Sequence, residues 1–140
     1  MRDTKLIGLV LLATILSLGH SVDHIVRGDL AWPIGIESVP FIVVSLAIYG
    51  IIGLGLFLYW KNRVGPGFWA IVGGLGAAFG LLGHFSPFTD QPPSYILGAY
   101  GYSAAGWLAL GLLVALMLVL LVATIYAGYL WKRRPPAHRV

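Results

Sequence analysis

The 140-residue chain contains no cysteine, and only 10% of its residues are charged. The missing thiols exclude iron–sulfur clusters, thiolate metal sites, c-type haem attachment and thiol–disulfide relays. The scarcity of charge excludes an ordinary soluble domain, in which about a quarter of residues carry charge. Motifs are sparse as well. Ser17, Ser21 and Thr89 stand in no nucleophile elbow, and no glycine-rich phosphate loop is present. What the chain has instead is apolar surface, with 59% of its residues hydrophobic.

That surface falls into four runs, at about 6–27, 40–60, 67–84 and 103–131. Each is close to or above the ~20 residues that a helix needs to cross ~30 Å of hydrocarbon. The composition therefore predicts an all-α membrane protein, a single domain folded as a four-helix transmembrane bundle. The net charge of +4 invites a nucleic-acid reading, but its distribution argues against one. Arg2, Lys5, Lys61, Arg63, Lys132, Arg133, Arg134 and Arg139 flank helix ends on one side of the membrane. Arg27 falls on the other side, with Asp23, Asp29, Glu37 and Asp90. The positive-inside rule then puts both termini in the cytoplasm, as in a plasma (inner) membrane protein whose first partner is the lipid bilayer. The basic tail reads as a topology anchor, and His138 within it as a solvated residue. A competing reading makes residues 1–19 a cleaved signal peptide, with Arg2 and Lys5 before an apolar core.

Against cleavage stands a repeat. Leu18-Gly19-His20 recurs as Leu82-Gly83-His84, each at the downstream end of an apolar run. Aligning Ile7–His20 with Ile71–His84 also pairs Leu11 with Leu75 and Ala13 with Ala77. Trp60-Lys61-Asn62-Arg63 and Trp131-Lys132-Arg133-Arg134 close the two halves alike. Two duplicated helical hairpins account for this. Shared interface chemistry and a small apolar alphabet account for part of it without duplication.

The punctuation is clear. Gly28 suits the end of helix 1, and Pro40 suits the first turn of helix 2. Trp32-Pro33 reads as an interfacial anchor and a break. Gly65-Pro66-Gly67 forces a tight link that makes helices 2 and 3 antiparallel neighbours. The segment 85–103, rich in proline and tyrosine, is too long for a plain turn; it reads as a lid, or as holding a short helix near Ser94–Tyr100. Gly73, Gly76, Gly80 and Gly83 form a small-residue stripe on helix 3, and His84 continues it. Gly50, Gly53 and Gly55 on helix 2 read as packing positions, or as an interface with a second copy or a partner membrane subunit.

Ionisable residues inside a membrane helix are costly and point to function. His20, Asp23, His24 and Arg27 follow one another at i, i+3, i+4 and i+7, and so share one helix face. Ser17 extends that face one turn deeper. With His84 they predict a pocket between helices 1 and 3 on the extracytoplasmic side.

Several chemistries could use this set. A divalent metal would take His20, Asp23, His24 and His84. A haem b would take His20 and His84 as axial ligands, with Arg27 on a propionate. A His/Asp chain could instead handle protons or ions. The alternative of a different class is a structural, assembly or small transporter subunit whose histidines only hydrogen-bond between helices. A membrane-embedded metal hydrolase ranks third, since no separate general base is visible.

Overall fold

A computed structural model describes residues 3–30 and 33–133. Arg2, Trp32 and the tail residues Arg134, His138 and Arg139, to which the sequence assigns anchoring or solvated roles, lie outside the described residues. Five α-helices follow one another: α1 (Thr4–Val26), α2 (Val39–Trp60), α3 (Pro66–Phe85), the short α4 (Pro93–Ala99) and α5 (Ala104–Lys132). A 3-10 turn, Ile36–Ser38, leads into α2. No strand occurs among the described residues.

Local chemistry sets these boundaries. Asp3 caps α1 by accepting a hydrogen bond from the Leu6 amide at 2.9 Å. Gly28, at φ +101°, takes the left-handed conformation that stops the same helix. Pro40, Pro66 and Pro93 all sit in first turns, where a missing N–H leaves no bond unmade. The short helix expected near Ser94–Tyr100 is α4.

Four helices are long and apolar enough to cross a membrane, the α2 span counted from Ile36. Large apolar side chains such as Leu46, Leu82, Leu108 and Ile125 point outward. A water-soluble bundle would bury such residues, whereas lipid accepts them. These are the features of an integral membrane protein.

α5 is the hub of the packing, with α3 laid along it most closely and α1 next. The glycine stripe makes the first contact. A Cβ at Gly73 would lie 2.6 Å from Thr124 Oγ1, and one at Gly80 would lie 2.6 Å from Met117 Sδ. Glycine at these positions leaves room for the Thr124 and Met117 side chains of α5 as the two helices pack. Gly19 serves α1 in the same way, facing Leu112 of α5. Its counterpart in the repeat, Gly83, meets no atom within 4 Å, so the two Leu-Gly-His copies pack differently.

α2 departs from expectation. It follows α3 antiparallel but approaches it at their shared link, where Phe68 and Trp69 fill the space beside Gly55 and Tyr59 packs edge-on against Trp69. Further along, Gly50 and Gly53 meet no atom within 4 Å. The Gly-Pro-Gly turn fixes the order and direction of the two helices but supplies no matching surface beyond the first turns. The result is a space between α2 and the other three helices.

The ends of the bundle differ in character. At the end where α1 begins and α5 finishes, Leu6, Val10, Tyr59, Trp69 and Ala127 form an apolar cluster. Asp3 ties three helices there, because its amide donates to Tyr59 Oη at 3.2 Å and Tyr126 Oη donates to its carboxylate at 3.1 Å. At the opposite end gather His20, Asp23, His24, Arg27, Asp29 and His84.

Candidate metal centre

α1 presents His20 and His24 one turn apart, and the last turn of α3 presents His84. The structure brings all three together, with one ring nitrogen from each within 4.8 Å of the others. His20 Nε2 lies 3.1 Å from His84 Nε2 and 3.1 Å from His24 Nε2. The rings meet edge to face, with centroids 4.6 Å apart for His20 and His24 and 4.9 Å apart for His20 and His84.

The partners of the opposite nitrogens show which atoms carry protons. His24 Nδ1 hydrogen-bonds the Asp29 carboxylate, which only accepts. His84 Nδ1 lies 3.1 Å from the backbone oxygen of Gln91, which also only accepts. Both Nδ1 atoms therefore donate, and in the neutral rings both Nε2 atoms keep a lone pair. Both lone pairs then face the one Nε2 of His20. A proton on that atom can make a good hydrogen bond to one of them, leaving the other against it. His20 Nδ1 is buried without a hydrogen-bond partner, 3.7 Å from Asp23 Oδ2.

Three convergent imidazole nitrogens, two of them on rings held from behind, form a set that can hold a metal ion. With metal–nitrogen bonds of about 2.0–2.1 Å, two ligands of a tetrahedral ion lie about 3.3 Å apart. The observed 3.1 Å separations sit close to that edge. A carboxylate or backbone carbonyl on the far nitrogen of a ligating histidine is the usual support in metal sites.

Asp23 stands beside this group and is turned to other partners. Arg27 Nε and Nη2 each lie 3.0 Å from its Oδ2, and Tyr100 Oη donates to Oδ1 at 2.8 Å. Arg27 is itself buried, with 1% of its side chain exposed, and donates through Nη1 to Gln91 Oε1 at 3.0 Å. Burial raises the Tyr100 phenol above its ordinary range, and the neighbouring Asp23 carboxylate adds to this.

Asp29 is the carboxylate nearest the histidines. Partial burial alone would raise its pKa, but hydrogen bonds from His24 and Gln91 outweigh this and hold it below the ordinary 3.8. Asp90 lies exposed outside the cluster, and Glu37 lies exposed on the 3-10 turn.

Gln91 is the residue the sequence reading missed. Its side chain bridges Arg27 and Asp29, the latter through Nε2 at 3.1 Å, while its backbone oxygen holds His84. It thereby fastens the 85–103 segment over the histidines. A lone glutamine in a polar loop carries no signal of such a role. Tyr49 was also missed: its hydroxyl reaches Ser21 Oγ at 2.8 Å and Ser17 Oγ at 3.3 Å, linking α2 to the polar face of α1.

No protein-family model, curated protein or solved structure matches the chain. The assignment of this centre therefore rests on its own residues and geometry.

Proposed function

We propose that the protein spans the plasma (inner) membrane with both termini cytoplasmic and binds one divalent transition-metal ion at the extracytoplasmic end of its bundle. His20, His24 and His84 are the ligands, each through Nε2. Asp29 and the Gln91 carbonyl orient two of the rings, and Asp23, neutralised by Arg27, lies behind the third. The observation that carries this reading is the meeting of three Nε2 atoms, two of which have their proton fixed on the other nitrogen. Imidazole ligands favour zinc, copper, nickel or iron over magnesium or calcium.

Three protein ligands leave one coordination position open. Structural zinc sites close all four with protein, whereas reactive sites keep one for water or substrate. The reading is therefore a working metal centre rather than a metal staple. The charge segregation in the sequence supports the orientation.

Haem b fits this geometry poorly. Two axial nitrogens on one iron lie about 4 Å apart, twice a metal–nitrogen distance of about 2 Å, with the macrocycle between them. His20 and His84 approach to 3.1 Å and meet edge to face.

Metal analysis of the detergent-purified protein tests the proposal. The expected result is one equivalent of zinc or copper, lost in His20→Ala, His24→Ala and His84→Ala while each variant still folds. A wild-type protein that takes up no ion, even when zinc or copper is supplied, would leave the histidines as hydrogen-bonding residues. A Soret band would point to haem instead.

A further inference from the structure

Below the histidines, the gap between α2 and the other long helices forms a cavity of about 700 Å³. Its size is that of a small-molecule site. His20, His24 and His84 all contribute to its wall, as do Asp29 and Glu37. Along α1 the lining runs from His24 down to Val10, and along α5 from Leu113 to Ala123. The latter stretch, ten residue steps, spans about 15 Å at 1.5 Å per residue. Trp69, packed against Tyr59 and Phe68, stands at the far end.

Polarity changes along this length. The polar wall residues lie toward the histidine end, with Ser17, Ser21 and Ser45 the deepest of them in their helices. Below them the wall is apolar, with Ile48 and Ile52 from α2, Val72 and Phe79 from α3, and Leu120 from α5. A cavity of this shape matches a molecule with one polar end and one extended apolar tail. The loose contact between α2 and α3 gives such a molecule a route from the lipid, so it need not enter from water.

The charge around the upper end selects the head. A divalent ion on three neutral imidazoles brings two positive charges, and the wall brings two carboxylates, Asp29 and Glu37. Of these, Asp29 stands beside His24 and Glu37 is exposed at the cavity mouth. A neutral oxygen donor fills the open position without adding a charge, whereas an anionic head would add one beside the Asp29 carboxylate. Resting on the metal reading above, we infer that the cavity receives a single-chain lipid with a neutral oxygen head, a hydroxyl or carbonyl, bound to the ion at its fourth position. The tail lies between α2, α3 and α5.

The test uses the full chain in phosphatidylcholine vesicles, with zinc, and three probes carrying a photoactivatable group on the tail. These are a long-chain primary alcohol, the matching fatty acid and a phosphatidylcholine. The alcohol should label the cavity faces of α2 and α3, at Val44, Ile48, Val72 and Phe79, whereas phosphatidylcholine should label outward residues such as Leu46 and Leu54. The double variant V44F/I48F fills the cavity from the loosely packed helix. It should bind zinc normally yet lose about tenfold of the inner labelling.

Zinc bound with no inner labelling by the alcohol would overturn the inference and leave the metal reading standing. Stronger inner labelling by the fatty acid or by phosphatidylcholine would overturn the choice of head. Failure of the wild type to bind any ion would overturn both readings.

Discussion

His20 Nε2 and His84 Nε2 lie 3.1 Å apart although sixty-four residues separate them in the chain. The contact joins the two Leu-Gly-His copies, and His24 brings a third ring to the same point. If these nitrogens share an ion, each alanine variant should weaken zinc binding by more than about 100-fold. That exceeds the ~10–100-fold loss typical of removing a residue that supports a ligand. Isothermal titration in detergent reads the difference. Three unequal effects, with one variant binding as tightly as wild type, would remove that residue from the set.

The supports should give a smaller effect. Asp29→Ala removes the carboxylate on His24 Nδ1, and affinity should fall by roughly 10–100-fold with stoichiometry retained. Asp29→Asn, which keeps an acceptor, should fall less. Equal behaviour of the two variants would mean that charge, not ring orientation, is what Asp29 supplies.

The Asp23–Arg27 pair should act on stability. Both side chains are nearly fully buried, and the carboxylate also holds Tyr100 of the covering loop. Arg27→Ala leaves that carboxylate uncompensated and should cost about 3–5 kcal/mol. Thermal unfolding in detergent should show a clear drop in Tm. Tyr100→Phe removes one hydrogen bond and should cost about 1 kcal/mol.

Acid should expose the role of Asp29. Its pKa lies below the ordinary 3.8, so its contribution to stability is complete above that value. The contribution is lost as pH falls through the depressed pKa, because the unfolded chain takes up the proton first. The Tm gap between wild type and Asp29→Asn should therefore be constant from pH 7 to about pH 5 and narrow below about pH 4. A gap independent of pH would contradict the assignment.

Helix packing gives a further test. Gly73→Leu drives a side chain into Thr124 of α5 and should cost about 1–3 kcal/mol, whereas Gly50→Leu meets open space and should be neutral.

Much of this fold is legible in the sequence. Four apolar runs, the capping signals at Gly28 and Pro40, and the short helix near 94–100 follow from composition and turn chemistry alone. The meeting of His20, His24 and His84 was an expectation from helical phase on α1 and the glycine stripe on α3, although that stripe packs on α5. The looseness of α2 was not legible. Its glycines match those of a packing face, and nothing local shows that Gly50 and Gly53 meet no partner while Gly55 does. Gln91 was also hidden, since its role depends on where a long loop folds back. Asp23 illustrates a different limit: helical phase places it beside the histidines and one turn from Arg27, but only tertiary structure shows Tyr100 taking its other oxygen.

The central claim is one ion on three imidazoles with an open fourth position. X-ray absorption on the zinc-loaded protein in vesicles measures this directly. The account predicts three imidazole nitrogens and one oxygen donor at about 2.0–2.1 Å, with one imidazole scatterer lost in His84→Ala loaded at a zinc concentration high enough to fill its weakened site. A spectrum of six oxygens at the aqueous-ion distance, unchanged in that variant, would contradict it.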